Sequence, residues 1–365
     1  MVRVPIHTEQ RVYEAVIEQG SLAQAGSSLR ELLGGTKPLF IVTVAPVRRR
    51  WGKTLLKSLL AAGFTPKLIE MADGERYKRL STLELLAERL IRLSADRKAV
   101  IIAFGGGVIG DVSGLLASVY MRGVKLVQIP TTVQAQLDAA IGGKTGVNLK
   151  AGKNLVGTFY QPELVVIDPE VLSTLPQREF RAGMYEAVKA GIIGNAELFT
   201  CLAGSSIQDL RRDSELLSWV IAESVKLKAQ VVSADEKESD RRRILNLGHT
   251  LGHALEAATG YRHFLHGEAV AWGIEAAARI ALEIQLCDRS VYDSICDAIH
   301  AWGPLPQVNV HSATALKLIQ SDKKAEAGSV HFVLPTKIGE VKVVNGIPPQ
   351  VISSALAEIR RASRA

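Results

Sequence analysis

Apolar positions in the first half of the chain come in short runs separated by amphipathic stretches. Leu39 to Val44, Pro66 to Met71, Ala99 to Phe104, Lys125 to Ile129 and Leu164 to Ile167 read as strands. Helical patterns such as Leu83 to Ala95 lie between them. Near-continuous apolar strands alternating with helices predict a mostly parallel sheet covered on both faces. From about Asp168 the pattern changes. Asp168-Pro169 and Leu175-Pro176 punctuate the chain, and strand-like runs nearly cease. Helical periodicity takes over in Tyr185 to Ile193, Glu215 to Val232, Leu245 to Ala258 and Glu268 to Gln285, with Val330 to Leu334 as a late strand-like exception. The expected fold is a Rossmann-like α/β domain over residues 1–175 followed by an all-α domain over residues 176–365. A length of 365 residues agrees with two cores.

Composition narrows the function classes. Hydrophobic residues at 47% and charged residues at 22% describe a globular chain. A net charge of +7 suits nucleic acid, acidic lipid or an anionic small molecule. The charge is spread out, however, and aromatics at 5% are few for stacking on single strands. No apolar run approaches the roughly 18 residues of a membrane helix, and the N-terminus lacks a signal-peptide core. Cys201, Cys287 and Cys296 show no CxxC spacing. We expect a cytoplasmic protein with reduced thiols, a small-molecule substrate, and no nucleic-acid or membrane partner.

Three segments carry candidate chemistry. The strand ending at Phe104 runs into Gly105-Gly106-Gly107-Val108-Ile109-Gly110-Asp111, whose glycines at 105, 107 and 110 fit G-x-G-x-x-G before a helix over Val112 to Tyr120. Such a turn lets backbone amides reach a pyrophosphate, and it is equally a plain strand–helix turn. The acidic residue that a dinucleotide fold carries at the end of the next strand is absent, since that strand ends Gln128-Ile129-Pro130-Thr131-Thr132. The second segment is Asn246-Leu247-Gly248-His249-Thr250-Leu251-Gly252-His253, followed by His266-Gly267-Glu268. His249 and His253 share a helix face, and glycine beside them weakens a helix unless something approaches closely. The spacing suits a metal centre completed by a distant carboxylate, and it is not H-E-x-x-H. A helix beginning by Arg242 would also bring Arg242, Asn246 and His249 to one face. The third segment, Thr131 to Asn154, sets Asp138, Lys144 and Lys153 among small residues, as a phosphate or carboxylate site or as a solvated loop.

The strings GGGVIGDVSG, YMRGVKLVQIPTTVQAQLDAAIGGKTGVNLKAGKNLVGTFYQP, EAVKAGII, DEKES, ILNLGHTLGHALE and HGEAVAWG together resemble the dehydroquinate synthase family of sugar phosphate cyclases, over about residues 39–340. The resemblance implies an NAD- and metal-dependent homodimer. It implies conversion of 3-deoxy-D-arabino-heptulosonate 7-phosphate to 3-dehydroquinate, in the shikimate pathway, by transient oxidation, phosphate elimination, reduction, ring opening and aldol closure. The alternative is a cyclase acting on sedoheptulose 7-phosphate or glucose 6-phosphate. Carried over, the ligands of Zn²⁺ or Co²⁺ are Glu186, His249 and His266, with His253 and Glu238 in a proton-transfer network. Asp138 and Lys189 contact substrate hydroxyls. Lys144, Asn154, Lys228, Arg242, Asn246 and Lys323 or Lys324 hold phosphate and carboxylate, and Arg122 reaches into the partner subunit's site. NAD is expected at Glu75, Lys78, Gly105, Gly106, Gly107, Asp111, Thr131, Thr132, Lys153 and Thr174. Where the family usually carries Asp after the first strand, this chain has Val44.

Overall fold

The computed structural model describes residues 1–323 and 330–364. Its chain divides into two units, Met1–Pro176 with Ser214–Lys237, and Gln177–Asp213 with Glu238–Ala365. The first break falls beside the expected boundary. A single cut at 175 nonetheless leaves out Ser214–Lys237, which returns to the first unit.

The first unit is built on a seven-stranded sheet. In chain order its strands are β1 (Val2–His7), β2 (Val12–Ile17), β3 (Leu39–Val44), β4 (Lys67–Met71), β5 (Val100–Gly105) and β6 (Lys125–Pro130). A separate hairpin of β7 (Lys144–Leu149) and β8 (Gly152–Phe159) precedes β9 (Leu164–Ile167). The spatial order is β1-β2-β9-β6-β5-β3-β4. Only β1, which pairs with β2 in a hairpin, runs antiparallel. Every residue of β3, β5 and β9 is buried, so their unbroken apolar runs are those of strands covered on both faces. Helices α1 (Ala25–Leu33), α2 (Ala45–Ala61), α3 (Leu80–Arg92) and α4 (Gly107–Val119) connect the strands. The chain passes from β3 out to β4, then back past β3 to β5 and on to β6. The winding direction therefore switches between β3 and β5, the position where open α/β sheets leave a crevice at their carboxyl ends. The glycine-rich turn lies there. The β1–β2 hairpin and the β7–β8 hairpin, the latter inside the segment that also read as a loop, are additions to the five strands legible in the sequence.

The second unit holds α5 (Gln177–Gly194), α6 (Ala196–Ala203) and α7 (Ile207–Arg212). The next helix, α8 (Ser214–Ala234), belongs to the first unit and packs along β1 and β2. The second unit resumes with α9 (His249–Ala258), α10 (His266–Glu283), α11 (Arg289–His300), α12 (Ser312–Lys323) and α13 (Pro349–Ala362). It is not wholly helical. Strands β10 (His331–Lys337) and β11 (Glu340–Asn345) form a hairpin against α10, which enlarges the late strand-like piece of the sequence.

Candidate active site

In the second unit, three helices are drawn together by glycine. Gly248 has φ +78°, and a Cβ there would stand 2.8 Å from Val270 O. On Gly252 a Cβ would lie 2.9 Å from Ala269 O, and on Gly273 1.9 Å from Gly248 O, so α9 and α10 cross backbone against backbone. A Cβ on Gly267 would meet Ala182 O at 1.8 Å, which sets α10 equally tight on α5. The glycines flanking the histidines are thus close-approach residues, which is why helices that glycine weakens carry them here.

The crossing brings side chains from all three helices to one place. His249 opens α9 and His266 opens α10. The ligand atoms of His249, His253 and His266 lie within 4.8 Å of one another. From α5, Glu186 Oε1 stands 3.6 Å from His266 Nε2, and Lys189 Nζ is 2.5 Å from Glu186 Oε2. Two atoms binding one Zn²⁺ at about 2.0–2.1 Å in tetrahedral geometry are about 3.3 Å apart, so Glu186 and His266 are spaced to share an ion. Glu186 is buried, and neither of its oxygens accepts a hydrogen bond, the Lys189 contact being an ion pair without hydrogen-bond geometry. A buried carboxylate left so strongly disfavours an empty pocket. Burial first, and then the charge of Lys189, hold His249 well below the usual imidazole range, keeping it neutral as a metal ligand must be. Burial also pulls His266 down, but the hydrogen bond it donates to Glu256 and the charge of Glu186 more than offset it. The donor set fits a divalent ion. His253 is the exposed member of the trio.

Arg242 and Asn246 do not continue α9. Residues Arg241–Asn246 form a separate short 3₁₀ turn, and the left-handed Gly248 breaks the path before His249. The single helix face expected for Arg242, Asn246 and His249 is therefore not formed. Arg242 is fully buried, and Asn246 donates to Glu238 Oε1 at 3.0 Å, with Glu238 at φ +57°. Lys323 ends α12, and its side chain, like Lys324, lies outside the described residues.

The first unit assembles a polar network at its strand ends. Helix α4 starts at Gly107 with Gly106 as an N-cap that supplies no side chain, so its first amides keep their donors for an anion. A Cβ on Gly106 would press on Thr132 at 3.1 Å, and Thr131 Oγ1 is buried with no hydrogen-bond partner. These features fit a nucleotide pyrophosphate. Lys78 is buried, pairs with Asp111 and also donates to Asn154 Oδ1. Burial raises the Asp111 carboxyl, and Lys78 partly counters it. Asn148 joins this group, donating to Glu75 Oε1 at 2.8 Å and accepting the Asn154 amide at 2.9 Å. Asp138 sits in a π-helical turn, Ala135–Ala139, a rare element that recurs at functional sites. Lys228 of α8 is paired with its carboxylate. Lys144 and Lys153 lie on β7 and β8, while Thr174 Oγ1 accepts from Trp51 at 3.0 Å. Arg122 is exposed in a turn at φ +69°. Val44 caps the end of β3, buried and apolar.

A family model described as 3-dehydroquinate synthase N-terminal matches residues 68–182, and one described as 3-dehydroquinate synthase C-terminal matches residues 183–325. The chain belongs to the 3-dehydroquinate synthase family. A 3-dehydroquinate synthase of Koribacter versatilis is 48% identical over 360 residues, covering 99% of this chain and 98% of the relative. Among solved structures, the 2-epi-5-epi-valiolone synthase of Streptomyces hygroscopicus, with NAD⁺ and Zn²⁺ bound, superposes with a TM-score of 0.88 at 28% identity, covering 98% of this chain and 99% of that one. A 2-deoxy-scyllo-inosose synthase complexed with carbaglucose-6-phosphate, NAD⁺ and Co²⁺ gives 0.86 at 27% identity, with the same coverage.

Sequence reading did not single out Glu256, Asn148 or the Arg178–Glu268 pair. Arg178 grips Glu268 at 2.7 and 2.8 Å, and Glu268 caps the first turn of α10. Glu256 closes the string ILNLGHTLGHALE, seven residues after His249, which two helical turns place on the histidine face. That period was its available signal. Asn148 offered none.

Proposed function

We propose that this chain is a 3-dehydroquinate synthase, a lyase that converts 3-deoxy-D-arabino-heptulosonate 7-phosphate to 3-dehydroquinate and phosphate. The observation that carries the reading is 48% identity over 99% of the chain to a protein of that name. Solved cyclases with other names share the fold at 27–28% identity, so fold alone does not choose the substrate. When bound, NAD exchanges a hydride with a substrate carbinol carbon, and Zn²⁺ or Co²⁺ polarises the oxygen on it.

Glu186, His249 and His266 would hold the ion. Gly105, Gly106, Gly107, Asp111, Thr131, Thr132, Lys153, Thr174, Glu75 and Lys78 would hold the nucleotide. His253, exposed beside the neutral His249, is suited to carry protons with Glu238. Asp138 and Lys189 would orient substrate hydroxyls. Both are already ion-paired, to Lys228 and Glu186, so their pairing with substrate exchanges one charged partner for another. Lys144, Asn154, Lys228, Arg242, Asn246 and Lys323 would take the phosphate and carboxylate, for which Arg supplies a bidentate fork.

The protein would act as a cytoplasmic homodimer. Strand β8 supports the dimer: it is an outer strand with Leu155 and Phe159 exposed, and Val119 and Met121 before Arg122 are exposed as well. Exposed apolar positions of this kind favour a partner strand or surface. Three free cysteines suit a reducing compartment. No described helix is long and apolar enough to cross a membrane.

The test is kcat/KM for the heptulosonate phosphate and for sedoheptulose 7-phosphate, with phosphate and carbocycle both measured. Losing the charge-assisted hydrogen bonds between the substrate carboxylate and Arg242 costs about 2–5 kcal/mol. The carboxylate substrate should therefore be preferred by roughly 30-fold or more, and Arg242→Ala should erode that preference. Equal rates, or a faster sedoheptulose reaction, would defeat the assignment. Net build-up of NADH would point to a dehydrogenase.

A further inference from the structure

His266 is fixed twice, and by different residues. Its backbone is set by Glu268, which accepts the Leu265 amide at 2.9 Å and is clamped by Arg178. That closes the first turn of α10 but leaves the imidazole free to rotate and to carry its proton on either nitrogen. The ring lies between two buried carboxylates. Glu256 Oε2 is 3.3 Å from Nδ1, within hydrogen-bond reach, and Glu186 Oε1 is 3.6 Å from Nε2, outside it. Glu256 projects from the third turn of α9 with its side chain only 4% exposed. A neutral imidazole has one proton to give, and a buried carboxylate needs donors.

We infer that Glu256 is the positioning residue of the cluster: it takes the Nδ1–H of His266, fixes the tautomer and ring angle, and leaves the Nε2 lone pair aimed at Glu186. The inference rests on the metal reading of Glu186, His249 and His266. It adds the carboxylate behind the ligand, an arrangement that raises imidazole basicity and typically contributes about 10–100-fold in metal affinity. Glu256 touches neither substrate nor ion; it acts through His266.

Two measurements on the full chain test it. In metal-free protein above the imidazole titration, nitrogen NMR should show His266, assigned through His266→Ala, as the Nδ1–H tautomer, and Glu256→Ala should lose that preference. Zn²⁺ affinity, read by competition with a chromophoric chelator, should fall about 10–100-fold in Glu256→Ala and less in Glu256→Gln, whose amide oxygen still accepts the proton. An Nε2–H tautomer in the wild type overturns the inference, as does unchanged Zn²⁺ affinity in folded Glu256→Ala. If Glu256→Ala does not fold, Glu256→Met, similar in size and without an oxygen acceptor, decides: weakened Zn²⁺ binding supports the role and wild-type binding overturns it. Wild-type protein that shows Nδ1–H yet binds no Zn²⁺ would sink the metal reading while supporting the hydrogen bond.

Discussion

The two units build their functional surfaces by opposite means. Around the histidines, α5, α9 and α10 meet backbone on backbone, and a Cβ on Gly267 or Gly273 would stand under 2 Å from a carbonyl oxygen. At the turn after β5, a Cβ on Gly107 would find Ala139 at 3.5 Å, an ordinary contact. There the structure is tied by side chains instead, through Lys78, Asp111, Asn148 and Asn154. Glycine in the second unit serves folding, because the helices cannot approach without it. Gly107, just past the strand end, has no such neighbour, so packing does not account for its missing side chain. One residue type thus has two physical reasons, separable only by what lies around each position.

The sharpest break of this comparison is at the histidine cluster itself. His249→Ala should lose bound metal and all turnover together, measured by metal content and product formation. Full activity in verified metal-free protein would refute the cluster's role.

Next in size is His253→Ala. It should retain its metal and lose about 10²–10⁴-fold in kcat, the usual worth of a positioned acid–base group. Equal metal loss in both variants would erase the distinction between the buried and the exposed histidine.

Gly273→Ala should destabilise the fold by about 3 kcal/mol, the upper end for overpacking, because the obstructing atom is a backbone carbonyl that cannot swing aside. Thermal melting and metal content should fall together, and an unchanged melt would show that α9 and α10 yield more easily than their contact implies.

The smallest effect on folding belongs to Gly107→Ala. Its stability should stay within about 0.5 kcal/mol of wild type, while affinity for NAD⁺ drops several-fold because the methyl group meets the pyrophosphate rather than the protein. Lost stability with unchanged NAD⁺ binding would reverse the assignment of that glycine.

Much of this was legible in the chain itself. The five apolar runs that became β3, β4, β5, β6 and β9 announced a buried parallel sheet, because such strands need apolar residues on both faces. The histidine spacing announced a cluster, because helical period places His249 and His253 together whatever the surroundings. Tertiary structure decided the rest. It returned α8 to the first unit, since its apolar face fits β1 and β2 and sequence adjacency does not fix packing partners. It made a hairpin of Lys144–Phe159 from residues whose small size fits loop and strand alike. It split Arg242 and Asn246 from α9 by one left-handed glycine, a conformation the residue permits without requiring. And it set Glu256 behind His266, although ten residues and a helix break separate them along the chain. Period is a property of the local backbone, so sequence carries it. Which faces meet depends on the shape of everything else that folds around them.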